Sequence, residues 1–135
     1  MVARFGRALG AEIADPFDVE PIPESRAWVE RILRLCLQEP FVVGLAALSY
    51  GIEARTRTMS FLGQIYRDAY GVSEADCEFF FMHVDTDEEH AARAIELIRK
   101  YCTTEQQLER CKWAVREVLD ATRVAAEGFE RVCTE

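Results

Sequence analysis

Phe79-Phe80-Phe81-Met82-His83-Val84-Asp85-Thr86-Asp87-Glu88-Glu89-His90-Ala91-Ala92-Arg93-Ala94-Ile95-Glu96-Leu97-Ile98 decides the fold class. At about 100° per residue, Phe80, Val84, Ala91, Ala94, Ile95 and Ile98 share one side of a helix. Asp85, Glu89, Glu96, Arg99 and Lys100 take the opposite side. The pattern is that of an amphipathic α-helix, predicted over about Glu74 to Cys102. His83, Asp87 and His90 fall within about 60° of one another, on a stripe that overlaps one edge of the apolar arc. Burying a carboxylate without a partner costs several kcal/mol. A divalent cation removes that cost, and imidazole plus carboxylate is a donor set that iron, manganese or zinc accepts. The competing reading is a polar network in which the three side chains hydrogen-bond one another at a helix–helix seam.

Outward from this helix, the chain continues in helical period. Ser73 with Asp76 forms a capping-box pattern in front of it, and Thr104 with Gln107 repeats the pattern for a helix from about Glu105 to Val132. The inward face of that last helix is expected to carry Leu108, Cys111, Val115, Val118, Leu119, Ala126 and Phe129. Upstream, a helix from about Phe41 to Ala69 is predicted to stop at Gly71. Its first half is apolar nearly all round, as in a central, buried helix. A further helix runs from Glu24 or Ser25 to about Gln38, with Trp28, Ile32, Leu33, Leu35 and Cys36 on its apolar side. Pro40 then opens the next one. The connector before it carries Pro16, Pro21 and Pro23, three prolines in eight residues, which forbid a helix. A short helix from Val2 to Leu9 ends at Gly10. No run alternates like a strand. The expectation is an all-α bundle of about five helices in a single domain spanning 1–135.

Composition narrows the function classes. Half of the 135 residues are apolar and 30% are charged, as in a globular domain. The net charge of −8 excludes a nucleic-acid binder, which needs a basic face. The longest uncharged run, Pro40 to Ile52, is too short to span a membrane. No signal peptide is visible at the N-terminus. The five cysteines are scattered and form no C-x-x-C pair, so they read as small apolar residues in a reducing cytoplasm.

A metal site in a bundle draws ligands from more than one helix. Glu53 follows twelve uncharged residues, Phe41 to Ile52, which places it near the core. It reads either as a further ligand or as an ion-pair partner of Arg55, Arg57 or a neighbouring helix. Tyr50 lies about 60° from it around a helix axis, in place to hydrogen-bond the site or pack beside it.

Glu53 and the His83-x-x-x-Asp87-x-x-His90 pattern together resemble the haem-oxygenase-like diiron oxidases and oxygenases. This branch belongs to the superfamily that includes thiaminase II and the PQQ-synthesis C protein. The likeness covers about Ala3 to Tyr101. Tyr50-Gly51-Ile52-Glu53 matches the Y-x-x-E context of one ligand helix, and Phe79 through Ala91 matches the histidine-rich one. Arg4 to Gly10 is similar to the "f-x-x-alG" segment of the family. The resemblance implies a haem-oxygenase-like helical bundle and an iron-dependent enzyme that uses O₂ to oxidise a small organic substrate. Glu53, His83, Asp87 and His90 would be metal ligands for non-haem iron, with manganese or zinc as substitutes. Phe80, Phe81 and Leu48 would line a dry pocket.

Family members carry a further glutamate and histidine on an earlier helix, upstream of the "alG" segment. This sequence has no third histidine. It is expected to correspond to the C-terminal half to two-thirds of a family member. Three explanations are consistent with that: a truncated reading frame, a homodimer that completes the bundle, or a shortened homologue with one metal ion or none. The rival to an enzyme is a catalytically incomplete helical half-domain that self-associates or binds a partner. A metal-free cysteine nucleophile of the thiaminase type is a third reading, although no cysteine stands beside a base in the sequence.

Overall fold

The computed structural model describes the backbone of residues 1–12, 15 and 19–134, and the side chains of these except 55–57 and 84–88. The described residues form six α-helices, one 3₁₀ turn and no strand. These are α1 (Val2–Ala8), α2 (Pro23–Gln38), α3 (Phe41–Gly51), the 3₁₀ turn Glu53–Arg55, α4 (Thr56–Tyr70), α5 (Glu78–Tyr101) and α6 (Glu105–Thr134). The all-α expectation holds among the described residues. Pro16, Phe17 and Asp18 of the acidic connector lie outside the described residues.

Helix ends follow local chemistry. Gly10 (φ 86°) and Gly71 (φ 67°) take the left-handed conformation after α1 and α4, where a side chain would be strained. Gln107 N–H donates to Thr104 Oγ1 (3.2 Å), and Thr104 N–H donates to Gln107 Oε1 (3.2 Å), the reciprocal capping box expected for α6. At Ser73, the Asp76 N–H donates to Ser73 Oγ (3.1 Å) as anticipated. It closes a turn instead of opening the helix, and α5 begins at Glu78.

The chain divides into two compact units, residues 1–20 with 55–89, and residues 21–54 with 90–135. In the first unit, Val72, Cys77 and Phe80 form the core beneath Phe5, Met59, Leu62 and Tyr66. Phe5 meets Tyr66 and Phe80 edge-on, with ring centroids 4.7 and 4.9 Å apart. Arg4 binds Glu78 (2.5 Å) and lies 3.5 Å from Asp76, fixing α1 to the start of α5.

In the second unit, α2 and α6 pack on α3. Leu35, Val42, Val43, Ala46, Ala47, Cys111, Ala114 and Val118 form its core. Trp28 Nε1 donates to Thr122 Oγ1 (2.9 Å), Arg131 pairs with Glu24 (2.8 Å), and Arg31 pairs with Glu117.

Three sequence expectations are corrected by the packing. The helix expected over about Phe41 to Ala69 is interrupted. Its first part ends at Gly51, Ile52 leaves helical geometry (φ −121°, ψ −65°), and α4 restarts at Thr56 after the 3₁₀ turn. Glycine and a β-branched residue in succession are poor helix formers, which makes this the weak point of an otherwise apolar run. The inward face of α6 is Cys111, Ala114, Val118, Ala125 and Gly128, whereas Leu108, Leu119, Ala126 and Phe129 are exposed. Mostly small residues at spacings of three, four and seven form the seam because they let helices approach closely, which an apolarity count undervalues. On α2, Leu35 is buried but Leu33 and Cys36 are exposed.

Candidate metal centre

Glu53 enters the site from the 3₁₀ turn and not from a continuous helix. The turn changes its bearing relative to Tyr50, so the expected 60° relation does not apply. In the second unit, Glu53 Oε1 lies 3.5 Å from Nδ1 of His90, on the C-terminal half of α5. The Glu53 side chain is 23% exposed and the His90 side chain 51%. A carboxylate and an imidazole thus face each other at a partly shielded position, beyond the usual hydrogen-bond distance of about 2.9 Å. The partner of Glu53 on α5 is thus an imidazole, and the contact is an ion pair only when His90 carries a proton. Arg55 and Arg57, the other proposed partners, have side chains outside the described residues.

His83 belongs to the first unit. Its Nδ1 lies 2.6 Å from the carbonyl oxygen of Phe79, one turn earlier on α5, and its ring packs on Phe79 with centroids 4.4 Å apart. A backbone carbonyl at Nδ1 selects the tautomer protonated there and leaves the Nε2 lone pair for an external electrophile. Metal-bound histidines are held in this way by groups beyond the ligand shell. Asp87 lies on α5, with its side chain, like that of Val84 and Asp85, outside the described residues. Among the described residues, no three histidine, cysteine, aspartate or glutamate side chains converge as a metal cluster. Of the four expected ligands, Glu53 and His90 are brought together within one unit.

The residues expected to line a pocket do other work, and Phe81 packs against the core of the first unit. Phe80 is buried in the aromatic core of the first unit, and Leu48 is exposed in the second. A cleft of about 410 Å³ opens in the second unit, lined by Ala46, Tyr50, Ile98, Cys111, Val115 and Arg116 among others. Arg116 was not singled out in the sequence, because a lone arginine on a solvent-facing helix carries no motif. Burial pushes the Cys111 thiol up to about 11, with Cys102 adding to the effect, and burial also raises Cys36 and Cys77. These three remain protonated at neutral pH and are poor nucleophiles, which disfavours thiaminase-type chemistry at them. No helix among the described residues is long and apolar enough to cross a membrane.

Comparison with known proteins agrees with the helical fold. The 4-aminobenzoate synthase of Nitrosomonas europaea is 29% identical over 132 residues, covering 96% of this chain and 53% of that protein. The chain thus spans about half the length of this curated relative. No solved structure matches it. Residues 1–123, which take in α1 to α5, the Glu53 turn and most of α6, match the family described as iron-containing redox enzymes. The chain belongs to that haem-oxygenase-like family of iron-containing redox enzymes.

Proposed function

We propose that this chain is a non-haem iron enzyme that uses O₂ to oxidise a small organic substrate, with Glu53, His83, Asp87 and His90 as its metal ligands. The observation that carries the reading is the approach of Glu53 to His90 at 3.5 Å, nitrogen to carboxylate oxygen. The donor set fits iron: borderline imidazole nitrogens with hard carboxylate oxygens suit Fe(II), and Mn(II) and Zn(II) as substitutes. His83 supports it through the Phe79 carbonyl, which would orient the ring and leave Nε2 as the donor. Bound iron would supply the one-electron steps that O₂ reduction requires. Four donors serve one ion, and a diiron centre calls for further ones.

The cleft beside Tyr50 is the proposed seat of the substrate. Its walls are largely apolar, and Arg116 with Lys112 at the rim would orient a polar or anionic group. The relative's activity makes a small aromatic acid or its precursor the first class to try. A homodimer in the cytoplasm, folding as one domain, completes the proposal. Its five free cysteines suit a reducing compartment.

Anaerobic titration with Fe(II), read by iron content and by visible absorption on admitting O₂, tests the metal site. Wild type is expected to retain iron stoichiometrically, and His90→Ala and His83→Ala to lose it with unchanged far-UV circular dichroism. Equal iron content in wild type and both variants would overturn the assignment.

A further inference from the structure

The inner face of α2 is firmly held within the second unit. Leu35 is fully buried, Ile32 packs on the core, and Trp28, Glu24 and Arg31 are tied to α6. The outer face is different. Val29, Leu33 and Leu37 follow at four-residue spacing and are 46, 51 and 78% exposed. Single exposed apolar residues are ordinary, but a continuous row over two helical turns marks an interaction surface. Alongside this row runs a second exposed one, Arg26, Glu30 and Arg34, whose charge alternates.

We infer that this face of α2 is the contact between two copies of the chain, crossing antiparallel about a two-fold axis at Leu33. Rows at four-residue spacing interdigitate when helices cross at about −50°, so the ridge of one copy fits the grooves of the other. With the axis at Leu33, that residue meets its own counterpart, and Val29 packs near Leu37 of the second copy. The charges select the antiparallel sense. It puts both charged rows on the same rim and brings Glu30 of each copy within about 3 Å, along the helix axis, of Arg34 of the other. The parallel sense would put the charged rows on opposite rims, where neither finds an opposite charge. The surface is therefore complementary to itself, as an isologous interface requires. This inference rests on the homodimer proposed above and specifies its surface.

Sedimentation equilibrium over a range of concentrations separates the two. The expected mass is twice the 15.4 kDa of the chain. Leu33→Asp should weaken association by more than about 10-fold. Glu30→Arg and Arg34→Glu should each weaken it by roughly 3- to 10-fold, and the double reversal should restore it. As a check independent of folding losses, Leu33→Cys in a background with Cys36 and Cys133 changed to serine should form a disulfide-linked dimer under mild oxidation. A chain that stays monomeric at the highest concentration overturns both the homodimer and this surface. A dimer unchanged by Leu33→Asp, with no Leu33→Cys cross-link, overturns the surface and leaves the homodimer standing.

Discussion

A Cβ added at Gly51 would lie 2.7 Å from Cγ1 and 2.8 Å from Cβ of Val118, a fully buried residue on α6. Valine has no flexible end to swing away, so one helix would have to move. Gly51→Ala is expected to destabilise the protein by about 1–3 kcal/mol, the usual range for overpacking. A double-mutant cycle with Val118→Ala checks the cause. If the clash is responsible, the double variant loses less stability than the sum of the single losses. The same close approach explains part of what the sequence hid. Gly51 reads as a minor blemish in an apolar helical run, and its real constraint comes from Val118, 67 residues later in the chain. Glu53, two residues on, was legible as a candidate because a charge after a long apolar stretch is conspicuous. Its approach to His90 was not, since that depends on the 3₁₀ turn.

Between elements, the clearest electrostatic tie joins the C-terminal end of α2 to α6. Arg110 grips both carboxylate oxygens of Glu39, at 2.6 and 3.0 Å, while its guanidinium lies 4.1 Å from the Trp113 ring centre. The Arg110 hydrogen bonds hold the Glu39 carboxyl below the usual glutamate value of 4.5, and Arg131 does the same for Glu24. A carboxyl whose pKa is lower folded than unfolded stabilises the fold fully above the unfolded value, and loses that contribution as pH falls through the folded one. The melting temperature is therefore expected to fall between about pH 5 and pH 3. Glu39→Gln should melt lower than wild type at pH 7, and the difference should shrink toward pH 3. A constant difference across that range would show that the ion pair is not its source. The elements themselves were largely readable, since capping chemistry and the 3.6-residue period are local. The faces they bury were less so. The seam of α6 is built from Cys111, Ala114, Val118, Ala125 and Gly128, chosen for size, while Leu108 and Phe129 on the same helix remain exposed.

At the scale of the whole molecule, the two units differ in how much holds them together. Among the described residues, the second has eight buried core residues drawn from three helices, and the first has three, supplemented by partly buried aromatic rings. Local opening free energy follows buried apolar contact, so the elements should not exchange their amide hydrogens at one rate. In the metal-free protein, amides of α3 and the central part of α6 are expected to be the most protected. Those of α1 and α4 should exchange about 10-fold faster or more. Native-state hydrogen exchange read by mass spectrometry measures this directly, and uniform protection across both units would contradict it. The same measurement with Mn(II), which binds such donors without redox chemistry, bears on the four proposed ligands. Binding to the native state alone slows opening of whatever segments the ion holds. If Glu53, His83, Asp87 and His90 are all ligands, Mn(II) should slow exchange both around the Glu53 turn and along residues 78–89 of α5. Protection confined to the Glu53 turn and the vicinity of His90 would reduce the site to those two residues.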